Sequence, residues 1–304
     1  MRVALLSDIH ANLIALDAVL EDICTTCQIA ANQIDAYWIL GDVVGYGPQP
    51  RQCLQRLDDQ LGDNEPWLAG NHDLGLVHCL RSNMNCKADD TPSELRDLIG
   101  NMGSAEALQI HAWELAGYED RTWYQRMATA PTWSMPLPGV VIAHGTVVEG
   151  PDSMANVRGE ASYLRDSIQA NSAFRNINRY LGADLAHLLV VGHTHVPTLM
   201  QRTDRGLNNS WDETRSPKYG NATERSEVII ELSELTSRRI VLCPGSIGQP
   251  RDHDARASYA VLTLDRGYLE ASFRRVPYDI PSVQHLMLDN GYPKFLADRL
   301  ALGK

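Results

Sequence analysis

The chain has 304 residues, 44% of them hydrophobic, enough to bury a large core, and it carries 38 acidic against 27 basic side chains for a net charge of −11. That balance excludes the broad basic surface needed to grip a nucleic-acid backbone or an anionic membrane, so an anionic substrate requires a local positive centre. No run of about 18 apolar residues occurs, and Met1 leads straight into the strand-like "RVALLSD" with no signal-peptide pattern, which predicts a soluble cytoplasmic protein without a membrane partner.

"VALLSDIH" (3–10) reads as a buried strand ending in a polar loop. A helix follows, with Leu13, Leu16, Leu20 and Ile23 on one face behind Asn12 as its cap. It carries Cys24 and Cys27. The six cysteines lack a second close Cys-x-x-C, so free thiols are the default reading and a zinc or redox site the alternative. "AYWILGD" (36–42) and "WLAGNHD" (67–73) repeat the strand-then-loop pattern. An amphipathic stretch at 92–128 lies in an insertion of about 74–135 that is predicted to be helical and holds Cys79 and Cys86. "VVIAHG" (140–145) and "LLVVGHTHVP" (188–197) are again strand and loop. Residues 201–224 are polar without periodicity and read as a surface loop or mobile hairpin. "RIVLCPGS", "SYAVLTLD" and "YLEASFRRV" are predicted strands, the last two joined by a tight turn containing Gly267. "LMLDNGYPKFLADRL" reads as short helices broken at Gly291 and Pro293. Strands alternating with helices predict an α/β sandwich, taken here as one domain over 1–304.

Ligands of such sheets gather beyond the carboxyl ends of the strands. His10, His72, His144, His193 and His195 stand at those ends, with Asp8, Asp42, Asn71 and Asp73 beside them. In an extended segment residues i and i+2 share a face, so His193 and His195 can converge on one point. The pair alone fits a metal grip or a plain hydrogen-bonded loop. The whole set offers imidazole, carboxylate and amide without thiolate, which suits Mn, Fe or Zn, with Mn or Fe favoured, better than a cysteine-type structural zinc site.

In order, "SDIH", "GDVVGYGP", "GNHD", "AHG" and "GHTH" resemble the five blocks of the calcineurin-like metallophosphoesterases, over residues 7–195. The later "CPGSIGQPRD" resembles the closing loop of that family's small bacterial members, among them phosphodiesterases and dinucleoside-polyphosphate hydrolases. The resemblance implies a four-layer α/β/β/α sandwich of two mixed sheets flanked by helices, and a site with two divalent or transition metal ions. Asp8, His10, Asp42 and His195 would hold one ion, and Asn71, His144 and His193 the other, with Asp42 bridging. A hydroxide shared by the metals would attack the phosphorus of a small phosphorylated substrate of nucleotide type. His72 would serve the leaving oxygen and Asp73 would orient it, the lesser alternative for Asp73 being a helix cap. Gln249 and Arg251 would contact substrate phosphate, the alternative for Arg251 being an ion pair with Asp252 or Asp254.

Two departures bear on function. Gly45 and Tyr46 stand where the protein phosphatases of the superfamily carry Asp and Arg, which lowers the phosphoprotein phosphatase reading. Cys243 replaces the asparagine usual before Pro-Gly-Ser in the small bacterial members. A catalytically idle, metal-bound regulatory module is the alternative from another class. The retention of His72 and of every expected ligand argues against it, and the acidic balance argues against an exonuclease.

Overall fold

The computed structural model describes all residues except 31–32, 63–64, 83–92, 101, 160–161, 206–207, 216–225, 234–238 and 266–267. Strands β1 (Arg2–Leu6), β2 (Ala36–Ile39), β10 (Ala257–Asp265), β11 (Tyr268–Val276) and β8 (Ser226–Ser233) form one mixed sheet in the order β2-β1-β10-β11-β8. A second mixed sheet contains β3 (Trp133–Leu137), β4 (Val140–Ala143), β5 (Leu188–Val191), β9 (Ile240–Cys243), β6 (Thr198–Arg205) and β7 (Asn208–Arg215), in the order β3-β4-β5-β9-β6-β7.

Alternation along the strands explains the layering, because successive side chains point to opposite faces. Val3 and Leu5 of β1, Val140 and Ile142 of β4, Leu188 and Val190 of β5, and Ile240 and Leu242 of β9 share one buried cluster between the sheets. Ala4 and Leu6 turn outward to a cluster with α1 (Leu13–Ala30), α2 (Pro50–Gln60), α3 (Asn71–Arg81), α4 (Ser93–Ile99), α5 (Met102–Leu115) and α6 (Thr122–Thr129). Val141, Leu189 and Val191 meet α7 (Ser167–Leu181) on the far side of the second sheet. Near the C-terminus α8 (Ile280–Asp289) and α9 (Lys294–Asp298) pack with Ala107 of α5 around Tyr46. This is the four-layer α/β/β/α sandwich expected. Among the described residues no helix is long and apolar enough to cross a membrane.

The Asn12 cap is present, its Oδ1 accepting the Ala15 N–H at 3.1 Å. One expectation is corrected. "WLAGNHD" is not a strand: Ile39 donates to the Pro66 carbonyl and Leu68 to that of Ile39, making one parallel bridge at Trp67. The Ala69 N–H then turns away to the Pro131 carbonyl. Asn71, His72 and Asp73 thus become the first turn of α3. Of the two readings given for 201–224, surface loop or hairpin, the paired strands match the hairpin: Gln201–Arg205 and residues 208–212 pair antiparallel with register Gln201↔Asp212 to Arg205↔Asn208. Such a ribbon is held by its backbone ladder and needs no hydrophobic alternation. Residues 216–225, the turn at Gly267, Cys86 and the Cys27 side chain lie outside what is described. Cys24 is exposed and Cys79 is buried.

Candidate active site

β1, β2, β4, β5 and β9 are linked by parallel pairings within their sheets, so their carboxyl ends deliver loops to one edge. Backbone bonds lock these loops together: Asp8 N–H to Gly41 carbonyl at 3.1 Å, Gly192 N–H to His144 carbonyl at 2.9 Å, and Ile247 N–H to Ser7 carbonyl at 3.1 Å. The chain bends sharply at the same places. Asp8, His10, Asp42, His193 and His195 all have positive φ, between 49° and 65°, a region costly for residues with a Cβ. Their side chains converge in buried groups, one of Asp8, His10 and His195, another of Asp42, His144 and His193, and a third of His10, Asp42 and His72. Close approach also requires glycine. A Cβ on Gly70 would fall 2.0 Å from Asp42 Oδ1, and one on Gly192 would fall 2.2 Å from Ser7 Oγ and 3.0 Å from Asp8 Oδ2.

The hydrogen bonds fix which nitrogen of each ring is free. His10 Nδ1 lies 3.1 Å from the Val44 carbonyl and His195 Nδ1 lies 2.6 Å from the Gln249 carbonyl. Carbonyls only accept, so both Nδ1 atoms carry the hydrogen and both Nε2 atoms present lone pairs. Those two Nε2 atoms face each other at 3.2 Å, and Asp8 Oδ1 lies 3.3 Å from that of His195. His144 repeats the pattern: Nδ1 lies 2.8 Å from the Leu40 carbonyl, and Nε2 lies 3.1 Å from Asn71 Oδ1 and 3.3 Å from Asp42 Oδ2. Lone pairs packed this closely in a dry site repel unless a cation sits among them.

Burial holds the imidazoles of His10, His193 and His195 well below their ordinary range, so protons are poor candidates for that cation there. At His144 burial acts in the same direction, but the Asp42 carboxylate overrides it and raises the ring to about 9. Asp42 in turn is opposed by burial and yet held below the usual carboxylate range by His144 and His72. The donor set therefore fits divalent ions. Asp42 is the carboxylate common to the last two groups: its Oδ1 accepts the His72 N–H at 2.8 Å, and its Oδ2 faces His144 at 3.3 Å and His10 at 3.9 Å.

The other expected residues divide. His72 belongs to the site, its ring against those of His10 and Tyr46 with centroids 4.9 and 4.5 Å away, and its Nδ1 is buried without a partner. Burial lowers its pKa to about 4, so it is neutral at pH 7. Asp73 does not orient it. The Asp73 carboxylate accepts N–H groups from Val43 (2.9 Å), Val44 (3.2 Å) and Gly70 (3.0 Å), fastening the loop after β2 to the start of α3. Asp73→Ala would orphan three buried donors and is expected to lower unfolding free energy by about 3 kcal/mol or more. A denaturant titration measures this, and unchanged stability would return Asp73 to a role in the chemistry.

Arg251 is not paired with its neighbouring aspartates, because Asp252 is taken by Arg275 and Asp254 by Arg256. Its guanidinium instead donates to Gln249 Oε1 at 2.8 Å and to the Tyr46 hydroxyl at 3.3 Å. Cys243 is a buried thiol 3.3 Å from Thr194 Oγ1, behind the histidine loop, and burial raises it to about 12.

Sequence reasoning missed several members. Ser162 Oγ lies 2.8 Å from His193 Nε2, which leaves Nδ1 as the ring atom that could coordinate. Tyr163 stacks on His193 with centroids 3.9 Å apart. His111 of α5 holds the Gly47 carbonyl at 2.7 Å. None of these lies in a recurring block, and only the fold brings them in.

Residues 1–197 match the family of calcineurin-like phosphoesterases, a span that contains every expected metal ligand. A metallophosphoesterase structure from Sphaerobacter thermophilus is 30% identical with a TM-score of 0.64, and the alignment covers 100% of both chains. An uncharacterised protein of Methanocaldococcus jannaschii is 27% identical over 99% of this chain and 98% of its own length. The symmetrical bis(5′-nucleosyl)-tetraphosphatase of Psychromonas ingrahamii is 38% identical over 77 residues, 25% of this chain and 26% of that protein.

Proposed function

The chain belongs to the calcineurin-like phosphoesterases, hydrolases of phosphoric esters that use divalent metals, and we propose that it hydrolyses a nucleotide-type phosphodiester or phosphoanhydride at a dinuclear centre. The observation that carries this reading is the facing pair of unprotonated acceptors, the Nε2 atoms of His10 and His195 at 3.2 Å, beside the Asp8 carboxylate. Asp8, His10, Asp42 and His195 would hold one ion and Asn71, His144 and His193 the other, with Asp42 common to both, and Mn or Fe suits these donors. When bound, two such ions acidify a water to a nucleophile and neutralise phosphoryl charge.

The protein's own groups supply the rest. His72 donates a hydrogen bond to the leaving oxygen as a neutral imidazole, and Arg251 presents an unneutralised cation to phosphate beyond the metal ligands. A small nucleotide as substrate is supported by the tetraphosphatase relatives, though their similarity to this chain covers only part of its length, and by Gly45 and Tyr46 in the bridging loop. The test compares kcat/KM for diadenosine tetraphosphate, cyclic AMP and a phosphopeptide under one metal condition. A nucleotide is expected to lead the phosphopeptide by about tenfold or more, a difference near 1.4 kcal/mol. A phosphopeptide in the lead overturns the substrate class, and full activity after chelation overturns the metal centre.

A further inference from the structure

Arg251 is not the only cation at the mouth of the site. Arg299, from the 3₁₀ turn 299–302 after α9, places its guanidinium carbon 5.8 Å from the centre of the Tyr46 ring, and Arg251 lies 5.6 Å from the same centre. The Tyr46 ring itself sits 4.7 Å from His10 and 4.5 Å from His72. The Tyr163 ring covers His193, with centroids 3.9 Å apart. The Arg299 turn is anchored against the Arg251 loop: the His253 N–H donates to the Gly303 carbonyl at 2.9 Å, and Arg299 Nε donates to the Lys304 carbonyl.

Two guanidiniums held against one ring repel each other, and burial together with Arg251 lowers the Arg299 pKa. Asp252 and Asp254 are engaged by other arginines, and the carboxylate that acts on Arg251, that of Asp8, lies among the metal-ligand candidates and does not figure at Arg299. Gln249, whose Oε1 faces Arg251, also keeps a buried Nε2 donor without a partner. Paired cations with spare donors make a place shaped for an anion. Because Tyr46 touches both His10 and His72, an anion there adjoins one held at the metal ligands.

We propose that Arg299, with Arg251, Gln249 and the Tyr46 hydroxyl, forms a second-phosphate subsite that takes the phosphate next to the one attacked, and so selects polyphosphate chains over isolated phosphate. It deepens the proposed function and rests on that reading. Calorimetric titration with Mn²⁺ in excess tests it, using tripolyphosphate and orthophosphate as probes on wild type and Arg299→Gln. Wild type should bind tripolyphosphate at least about tenfold more tightly than orthophosphate. Arg299→Gln should weaken tripolyphosphate by about tenfold and orthophosphate by less than about twofold, and Arg299→Lys should recover part of the loss because it restores charge without the planar fork. Equal weakening of both probes, or no change in either, overturns the subsite. So does a wild type without preference for tripolyphosphate, whatever the stability of the variants. Turnover is measured separately: failure to hydrolyse any phosphoester with the binding preference intact would sink the hydrolytic reading and leave the subsite standing.

Discussion

Asp42→Asn is expected to lose bound metal and to lower kcat/KM on bis(p-nitrophenyl) phosphate by about 10³-fold or more, since every metal contribution falls together. The substitution preserves size and removes charge. One carboxylate oxygen accepts the His72 N–H at 2.8 Å while the other faces His144 and His10, so an amide must turn its NH₂ toward one of these and meet either an N–H donor or the coordinating face of the rings. The group is 1% exposed, so water cannot soften the mismatch. Elemental analysis after gel filtration, with the diesterase assay on the same sample, decides. Two ions per chain with a rate within about tenfold of wild type would show that Asp42 is not the bridge. The His144–Asp42 pair adds a pH dependence. His144 holds a proton up to about pH 9 where a dication would bind, so protons compete, and metal affinity should rise with pH through the neutral range.

The candidate metal-ligand set was legible because its members sit at the ends of apolar runs, where strand chemistry changes abruptly, and the structure gathers most of them into buried groups. His193 and His195 follow β5 directly, and Asp8 and His10 follow β1. The i, i+2 argument placed His193 and His195 at one edge, but they do not converge on one point: His195 joins Asp8 and His10, and His193 joins Asp42 and His144. Both residues have positive φ, so they are bent out of the strand rather than continuing it. "WLAGNHD" misled for a related reason: its apolar half makes only one bridge before the helix begins, and alternation cannot distinguish a bridge from a strand over four residues. Asp73 was legible as a cap and not as a catalytic group, which its three backbone donors explain. Arg299, Tyr163 and Ser162 were illegible, because they reach the site through loop packing that no local period encodes. Arg299 lies more than a hundred residues beyond the last histidine block.

An acidic chain that handles an anion must concentrate positive charge locally, and the structure divides that task. Deep in the site the acceptor set demands cations, and at its mouth arginines stand apart from the aspartates around them. The remaining acidic surface lowers affinity for extended polyanions, so discrimination falls to the pocket rather than to long-range attraction.

His72→Ala should separate chemistry from metal binding. Only its backbone N–H touches Asp42, and that bond survives truncation, so metal content should stay at the wild-type level. The imidazole is neutral at pH 7, burial having lowered it to about 4, and its Nδ1 has no protein partner to satisfy. Under the proposed function it would act by donating a hydrogen bond to charge that appears on the leaving oxygen. A poor leaving group such as a nucleoside alkoxide accumulates that charge and should lose about 10²- to 10⁴-fold in kcat. A nitrophenolate stabilises its own charge and should lose far less. The measurement is a series of diesters of graded leaving-group pKa on wild type and variant, with elemental analysis alongside. The rate should fall more steeply with leaving-group pKa in the variant. Parallel lines would move the action of His72 from the leaving oxygen to the non-bridging phosphoryl oxygens, and loss of metal would make it a ligand instead.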